Sequence, residues 1–321
     1  MPSVNYAGTP YVSAPGEAVL DTLLRQGLPI ANSCRAGACQ SCLLRAVDGS
    51  IPAVAQRGLK ATLVEQGYFL SCVCVPDGDL RIEPAAGLEI EASIKSLERL
   101  TPTVLRARLH LPEPLAYRAG QYVTLRRSDG LSRSYSLASL PDEDTLELHV
   151  RLAPLGRMSG WLFNEAKAGH NITVRGPAGD CFYTKGSLEQ SLLMIGTGTG
   201  LAPLAGICRD ALRQGHTGPI HLYHGARSAD GLYLQDELHA LGRLHANFHY
   251  DTVVPDGDGV STADAIAKVL AARHPALKGW RGFICGNPRA VSMLKKKVFM
   301  AGMAAREIFA DAFLEAPKPT S

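Results

Sequence analysis

Four cysteines of this chain follow a spacing that few folds can satisfy. Cys34, Cys39 and Cys42 are separated by four and two residues, and Cys72 follows after twenty-nine more. Three thiols therefore share one loop, and the fourth arrives from a distant segment. This spacing is typical of a [2Fe-2S] cluster, in which four thiolates converge on two irons and two sulfides. The chain must fold so that the distant cysteine meets the loop.

The residues between these cysteines are small, as a tight metal-binding loop requires. Gly37, with Ala36 and Ala38 beside it, lets the backbone bend sharply and aim its amides at the sulfur atoms. Zinc is the main alternative, although structural zinc sites usually pair two short Cys-x-x-Cys units and this chain has one. Buried free cysteines are a second alternative. Cys74 could replace Cys72 as the fourth ligand, but resemblance to the spacing of plant-type clusters favours Cys72, and Cys74 is then expected to pack as a small apolar residue.

Length and composition bound the remaining possibilities. A chain of 321 residues is long enough for two or three domains, each with a core of its own. Eight cysteines without an N-terminal secretory signal fit a reducing compartment, so a cytoplasmic protein is expected. The net charge of +3 gives no indication of nucleic-acid binding. The longest apolar run, 192–208, is interrupted by glycines and threonines, which predicts a buried strand, turn and helix and no membrane span.

Residues 1–86 are predicted to form the first domain. The expected elements are strands at 4–6, 11–12, 43–47 and 80–82 and one helix at 17–26. Together with the cysteine spacing, this order resembles the small β-grasp fold of plant-type ferredoxins. The resemblance implies that the cluster ligands are Cys34, Cys39, Cys42 and Cys72.

A second domain is predicted at 87–186. It begins after a run of proline, alanine and glycine at 84–87, which interrupts the preceding pattern. Alternation of apolar and polar residues predicts strands at 104–109, 122–125 and 146–152, and one helical pattern lies at 159–166. Several short strands separated by turn residues indicate a closed antiparallel β-barrel.

One strand of this second domain carries side chains that suit a flavin nucleotide. Its four residues are Arg133, Ser134, Tyr135 and Ser136. An arginine could pair with a pyrophosphate, an aromatic ring could lie against a flat ring, and a hydroxyl could bond to a ring nitrogen. Polar alternation alone is also typical of a solvent-exposed strand. At this place in the chain, however, the segment resembles the Arg-x-Tyr-Ser/Thr flavin motif of the ferredoxin-NADP reductase superfamily, which implies an FAD site.

A second flavin element follows about twenty residues later. The segment from Gly156 to Ser159 resembles the Gly-x-x-Ser turn of the same superfamily, whose helix amides and serine hydroxyl hold the flavin phosphates. Many members have two glycines in this turn, whereas this chain has Leu155 before the single glycine. Ser159 could alternatively be an ordinary helix N-cap. The resemblance also implies flavin contacts from Val150 and Met158.

The third domain is predicted at 187–321, where strands alternate with helices. Short apolar or β-branched runs occur at 192–195, 220–223, 248–254 and 282–285, each followed by a helical pattern. This alternation predicts an open, mostly parallel, doubly wound α/β sheet.

A glycine-rich loop follows the first strand of that sheet. Gly196, Gly198 and Gly200 would let the backbone approach a pyrophosphate at the start of the next helix, and Pro203 suits its first turn. A glycine run alone is weak evidence for a nucleotide site. With Thr199 it resembles the Gly-Thr-Gly-Thr-Gly-x-Ala-Pro signature of the same superfamily, which implies NAD(P) binding.

The superfamily implies further contacts. Arg227, in Gly-Ala-Arg after the second strand, resembles a residue beside the adenosine half of the nucleotide. Cys285 and Gly286 match the Cys-Gly-x-Pro segment, whose cysteine lies next to the nicotinamide. Phe313 resembles the C-terminal aromatic residue near the flavin. Without the resemblance, Cys285 and Phe313 would be interpreted as ordinary core residues.

The preferred nucleotide is predicted from the residues after Arg227. A 2′-phosphate would require several cations there, whereas Ser228 and Asp230 supply a hydroxyl and an acid. NADH is therefore expected in preference to NADPH.

The order of the three domains resembles the reductase components of bacterial multicomponent oxygenases. The resemblance implies that NAD(P)H gives a hydride to the flavin, with Thr199 and Cys285 positioning the nicotinamide and Ser136 bonding near the reacting flavin nitrogen. Single electrons then pass to the cluster and on to an oxygenase component or its ferredoxin. A monomer that binds neither nucleic acid nor membrane is expected.

Three alternatives remain open at this point. The same electron chain could serve another acceptor, such as a deoxysugar dehydratase system, which uses the same domain order. The protein could bind a cluster for redox sensing without turnover, but the complete flavin and glycine motifs argue against this. A flavin reductase that releases its flavin is disfavoured by the fused cluster domain.

Overall fold

The computed structural model describes residues 2–59, 61–85, 89–257 and 259–314. Within these ranges the chain forms three β-sheets of five, six and five strands. The predicted boundary between residues 86 and 87 lies outside the described residues. The predicted boundary between 186 and 187 falls in the connection between the second and third sheets.

The first sheet is mixed and packs against one helix. Its strands are β1 (Ser3–Tyr6), β2 (Thr9–Val12), β3 (Leu43–Asp48), β4 (Tyr68–Leu70) and β5 (Leu80–Pro84), and its helices are α1 (Val19–Arg25) and α2 (Ala61–Glu65). The strand order is β2-β1-β5-β3-β4, with β1 and β5 parallel. Leu20 and Leu23 of α1 are fully buried against Phe69 and Ile82 of the sheet. This is the β-grasp arrangement that the sequence predicts, with β4 as an additional strand.

The second sheet is antiparallel throughout. Its strands are β6 (Glu89–Thr101), β7 (Val104–His110), β8 (Tyr122–Arg126), β9 (Ser132–Ser136), β10 (Leu146–Arg151) and β11 (Asn171–Ala178), and α3 (Arg157–Asn164) follows β10. The order is β10-β7-β6-β11-β8-β9. An antiparallel bridge between Leu137 and Leu148 joins the two ends of the sheet and closes it into the predicted barrel. Its core includes Leu109, Val123 and Leu125, which are fully buried.

The third sheet is parallel and covered by helices on both faces. Its elements are β12 (Leu192–Thr197), α4 (Leu201–Arg213), β13 (Ile220–Gly225), α5 (Gln235–Leu244), β14 (Phe248–Val253), α6 (Thr262–Arg273), β15 (Arg281–Gly286), α7 (Pro288–Met300) and β16 (Ile308–Ala312). The order β14-β13-β12-β15-β16 confirms the doubly wound prediction. Met194 of β12 packs into one core and Leu193 into the other, as alternation along a doubly covered strand requires.

None of the helices in the described ranges has the length and apolar character needed to cross a membrane. The pairing of β12 with β15 brings the glycine-rich loop beside the end of β15, which is where nucleotides bind in sheets of this type.

Candidate functional site

The four predicted cluster ligands lie in two pairs. The amide of Cys34 donates to Cys39 Sγ, and the amide of Cys39 donates to Cys34 Sγ, each over 3.4 Å. Cys42 and Cys72 form the second pair, because β3 and β4 are paired antiparallel immediately beside them. All four cysteines are free thiols.

Two pairs of thiols fit two irons with two thiolates each. Within the described ranges, no three His, Cys, Asp or Glu side chains are grouped around one position that could hold a metal ion. Cys74 is fully buried in the core of the first domain, as predicted for a small apolar residue.

Hydrogen bonding within each pair separates the pKa values of its two thiols. A bond from the Cys39 thiol lowers the pKa of Cys34 to about 5, with help from the backbone amides of the loop. A bond from the Cys42 thiol lowers the pKa of Cys72 to about 7. The same bonds raise the pKa of the donor thiols Cys39 and Cys42, so one thiol of each pair is easier and the other harder to deprotonate. Metal binding must displace both protons, because only thiolates act as ligands.

Strand β9 presents different residues on its two faces. Side chains alternate along a strand, so Arg133 and Tyr135 lie on one face and Ser134 and Ser136 on the other. Arg133 is partly buried and donates to the carbonyl of Ser132 over 2.6 Å. Burial, together with repulsion from Arg157, lowers the pKa of the Arg133 guanidinium. An arginine in this position suits the pyrophosphate of FAD, whose negative charge would offset the cost of burying the cation.

The two serines of β9 have different partners. Ser134 Oγ lies 3.0 Å from Thr124 Oγ1 and 3.5 Å from the carbonyl of Cys39, so it faces the cluster loop, defined as residues 34–42. Ser136 Oγ donates to Asp311 Oδ2 over 2.6 Å. One face of β9 therefore contacts both the cluster loop and the C-terminal strand β16.

The turn before α3 differs from one expectation. Gly156, not Ser159, is the N-cap of α3, so the alternative N-cap interpretation of Ser159 is wrong. Ser159 Oγ accepts from the amide of Ala153 over 3.1 Å and donates to the carbonyl of Gly156 over 3.3 Å, because it folds back over the turn. Leu155 has a φ of +57° and is fully exposed, a left-handed conformation that usually favours glycine.

The side chains of Val150 and Met158 are buried in the barrel core. Only their backbone atoms are therefore available to a flavin. The backbone amide of Met158 lies in the first turn of α3, where amides without a partner in the helix can bind a phosphate.

The nucleotide loop requires its glycines for close packing. Gly198 has a φ of +55°, and a Cβ on Gly200 would overlap the carbonyl of Cys285. Gly286 has a φ of +124°, and a Cβ on it would likewise overlap Thr197. The hydroxyl of Thr197 accepts from the amide of Asn287 over 3.0 Å. The loop after β12 and the loop after β15 thus form one compact surface.

Several predicted nucleotide residues lie around this surface. Gly196 pairs with Cys285 between β12 and β15, and Thr199 is buried at the start of α4. Arg227 is exposed just after β13. Phe313 is partly buried, and its amide donates to the carbonyl of Gly286 over 2.8 Å.

Asp311 connects Cys285 with strand β9, the strand predicted to bind the flavin. Cys285 pairs with Asp311 between β15 and β16, and Asp311 in turn accepts from Ser136. Burial raises the pKa of Asp311 above its ordinary value. The geometry therefore joins the nucleotide loops, β9 and the cluster loop in one continuous region.

Comparison with known proteins gives the same order of domains. A model described as a 2Fe-2S iron-sulfur cluster binding domain matches residues 4–77, an oxidoreductase FAD-binding domain matches 91–183, and an oxidoreductase NAD-binding domain matches 194–296. The reductase component of the naphthalene 1,2-dioxygenase system of Pseudomonas putida is 34% identical over 93% of this chain and 94% of its own length.

The chain belongs to the family of ferredoxin–NAD(P)+ reductase components.

Other similar proteins are named for different systems. The reductase subunit of an aromatic O-demethylase from Amycolatopsis is 32% identical over 98% of this reductase and 99% of that protein. The crystal structure of the Amycolatopsis cytochrome P450 reductase GcoB is similar with a TM-score of 0.69, at 32% identity, covering 98% of this chain and 99% of that one.

Sequence reasoning missed several residues of the reductase. Asp311 lies in a mainly apolar segment that forms a strand by pairing with β15. The one signal in the sequence for a special role of Asp311 is an acidic residue among apolar ones. Tyr122 and Arg175 donate to the cluster loop from β8 and β11, more than eighty residues away in the sequence. No local pattern predicts contacts of this kind.

Buried polar groups also connect the barrel with the nucleotide domain. His149 of β10 is buried between Glu147, 3.0 Å from its Nε2, and Tyr233, 3.1 Å from its Nδ1. Tyr233 also meets His224 edge-on, with ring centroids 5.3 Å apart. Burial lowers the pKa of His224 to about 4, so its imidazole is neutral near pH 7.

Proposed function

We propose that this reductase passes a hydride from NADH to FAD and then single electrons through a [2Fe-2S] cluster to an oxygenase component or its ferredoxin. One observation carries the proposal. Ser136 bonds to Asp311 beside Cys285, while Ser134 and Tyr122 on the same face of β8 and β9 contact the cluster loop. One flavin strand therefore lies between the nucleotide loops and the cluster, which supports an electron path through it.

Each side chain has a role in this proposal. When bound, FAD accepts two electrons together from the nicotinamide and releases them singly, as a [2Fe-2S] cluster requires. Arg133 binds the pyrophosphate, Tyr135 packs against the flavin ring, and the amides at the start of α3 bind phosphate. Thr199 and Cys285 position the nicotinamide against the flavin.

Ser136 and Asp311 are proposed to act together near the hydride-accepting nitrogen. The hydroxyl proton of Ser136 is held toward Asp311 Oδ2 over 2.6 Å, which fixes the rotamer of the serine. Because burial raises the pKa of Asp311, this pair can hold a proton beside the flavin. Phe313, two residues further along the chain, is proposed to cover the flavin until the nicotinamide enters.

The choice of NADH rests on the loop after β13. Arg227 and Ser228 are exposed there, and Ser228 Oγ donates to the carboxylate of Asp230. A carboxylate accepts hydrogen bonds from a free ribose 2′-hydroxyl and repels a 2′-phosphate. We therefore propose that Arg227 contacts the adenosine half of NADH and that Asp230 disfavours NADPH.

The acceptor, location and assembly state follow from the same reasoning. The relatives are named as parts of oxygenase systems, so an oxygenase component or its ferredoxin is proposed as the acceptor. Eight free cysteines suit the reducing cytoplasm. One chain supplies all three sites and the contacts between them, which supports a functional monomer.

An anaerobic titration tests the proposal. The purified holoenzyme is titrated with NADH and, separately, with NADPH, and is followed by absorbance and low-temperature EPR. We expect the flavin absorbance to bleach and a rhombic reduced-cluster signal to appear, with NADH effective at lower concentration. A protein that holds a cluster but does not oxidise NADH would instead be a redox-binding protein, and the proposal would be wrong.

A further inference from the structure

Three side chains of the flavin barrel bond to consecutive parts of the cluster loop. Tyr122 Oη donates to the carbonyl of Ala38 over 2.8 Å, and Arg175 Nη1 donates to the carbonyl of Ser41 over 3.0 Å. Ser134 Oγ makes a longer contact of 3.5 Å to the carbonyl of Cys39. The cluster loop is therefore anchored to β8, β9 and β11 through its backbone.

The Tyr122 bond reaches a peptide group that also contacts a cluster ligand. The Ala38 carbonyl and the Cys39 amide belong to one peptide, and that amide donates to Cys34 Sγ over 3.4 Å. A donor on the carbonyl polarises the peptide and strengthens its N–H as a donor. Because hydrogen bonds to the ligand sulfurs help to set the potential of iron–sulfur clusters, the Tyr122 hydroxyl acts on the cluster through this peptide.

Tyr122 is itself held rigidly between the two sites. It lies directly opposite Ser136 in the β8–β9 register, and its ring packs so closely on Gly179 that a Cβ there would lie 2.9 Å from it. Its phenol is protonated at neutral pH, as in any tyrosine, so the hydroxyl acts as the donor to the Ala38 carbonyl. A rigid donor can fix the position of a loop as well as polarise it.

We infer that Tyr122 is a positioning residue for electron transfer: it holds the cluster loop against the flavin strand and raises the reduction potential of the cluster through the Ala38–Cys39 peptide. Each transfer moves one electron from the reduced flavin to the cluster, with no bond made or broken. The inference rests on the proposed function, since it concerns the step between flavin and cluster.

The test compares Tyr122→Phe with Tyr117→Phe in the holoenzyme. Both changes remove one hydroxyl and keep the ring, but Tyr117 Oη bonds within the barrel, to Leu140 O over 2.6 Å and Ser139 Oγ over 2.8 Å. The measurements are NADH-driven reduction of ferricyanide at the flavin, NADH-driven reduction of cytochrome c through the cluster, and the cluster midpoint potential from dye-mediated EPR titration.

For Tyr122→Phe we expect unchanged ferricyanide reduction, cytochrome c reduction lowered about fivefold, the factor that one ordinary hydrogen bond represents, and a more negative midpoint potential. Tyr117→Phe should match the unmodified protein in all three. The inference would be overturned if Tyr122→Phe kept either the cytochrome c reduction rate or the cluster midpoint potential of the unmodified protein. An equal loss of ferricyanide reduction and cytochrome c reduction would also overturn it.

Failure of the proposed function would be recognised separately. If NADH does not reduce the cluster of the unmodified holoenzyme, the proposed electron path is wrong whatever the variants do. The midpoint potential does not depend on NADH, because dithionite sets the redox state in that titration. A potential that is the same in Tyr122→Phe and the unmodified protein would then still refute the role of Tyr122.

Discussion

The flavin barrel contacts its two neighbours through different chemistry. Toward the nucleotide domain it presents Arg106, which is 6% exposed and donates to Glu237 of α5 over 2.7 Å and to Glu98 of its own sheet over 3.2 Å. Glu147 lies 3.5 Å from the same guanidinium. Toward the cluster loop the barrel presents mainly hydroxyl groups that donate to backbone carbonyls, with Arg175 as the one cation described there.

This difference bears on what each contact can tolerate. A hydrogen bond that involves a charged group, such as those of Arg106, contributes about 1.5–3 kcal/mol, whereas an ordinary hydrogen bond contributes about 1 kcal/mol. The nucleotide domain is therefore fixed to the barrel, as hydride transfer between two precisely placed rings requires. The cluster loop is held by individually weak bonds, so single changes there can alter electron transfer without loss of the fold.

The largest effect is expected from Arg106→Met. Three carboxylates lose their shared cation, but Glu98 and Glu237 are more than half exposed and Glu147 keeps Arg108 as a partner, so the free energy of unfolding should fall by about 2–3 kcal/mol, measured by urea unfolding. Arg108→Met is the matched control, because Arg108 contacts Glu98 and Glu147 with its side chain 35% exposed. The control should lose less than about 1 kcal/mol. Equal losses of unfolding free energy in the two variants would contradict the special role of Arg106 as the ionic contact with the nucleotide domain.

A pH dependence of stability is expected at the same interface. Burial lowers the pKa of His224 to about 4, below the 6.5 of an exposed histidine, so the unfolded chain binds the proton more readily. The contribution of neutral His224 to the free energy of unfolding is complete above pH 6.5 and is lost as the pH falls toward 4. Between pH 7 and pH 5 the free energy of unfolding therefore falls by about 2 kcal/mol on account of this residue. In His224→Gln, the free energy of unfolding measured with urea should fall about 2 kcal/mol less between pH 7 and pH 5 than in the unmodified protein. An unaltered pH profile in this variant would contradict the assignment.

Ser136→Ala should slow hydride transfer about tenfold, because it removes a hydrogen bond to a carboxylate beside the flavin. Stopped-flow bleaching of the flavin by NADH measures this step directly. Ferricyanide and cytochrome c reduction should fall together, unlike the separation expected for Tyr122→Phe. Ser132→Ala is the control on the same strand, since its hydroxyl bonds only locally, to Gly130 O over 3.2 Å.

The smallest effect is expected from Ser134→Ala. Its contact with the cluster loop spans 3.5 Å, and the Thr124 hydroxyl that loses its 3.0 Å bond to Ser134 keeps Ser41 Oγ as a neighbour at 3.5 Å, so stability should change by no more than about 1 kcal/mol. The FAD content of the purified protein should remain that of the unmodified reductase. Loss of FAD would instead identify Ser134 as a flavin ligand, as the motif resemblance implies.

The sequence was most informative where function depends on fixed spacing. A cysteine loop, an Arg-x-Tyr-Ser strand and a glycine signature need particular residues at particular separations, so they could be identified without knowing the fold. Gly200 illustrates the reason, since any side chain there would overlap the carbonyl of Cys285.

The sequence was least informative where side chains meet across distant segments. β6 carries many charged residues and was not predicted, because its strand character arises from pairing with β7 and β11. Asp311 and Tyr122 were missed for a related reason: each gains its role from a partner supplied by another domain. For Ser159 the sequence predicts a phosphate contact or a helix cap; Gly156 is the cap, and the Ser159 hydroxyl bonds to the turn itself.

The most direct test of this account is a single-turnover experiment with NADH. Anaerobic holoenzyme is mixed rapidly with one equivalent of NADH, and samples are followed by flavin absorbance and by freeze-quench EPR of the cluster. The account predicts that the flavin is reduced first and that the cluster signal grows as flavin electrons are lost. A cluster signal that appears before flavin reduction, or does not appear at all, would contradict the proposed path.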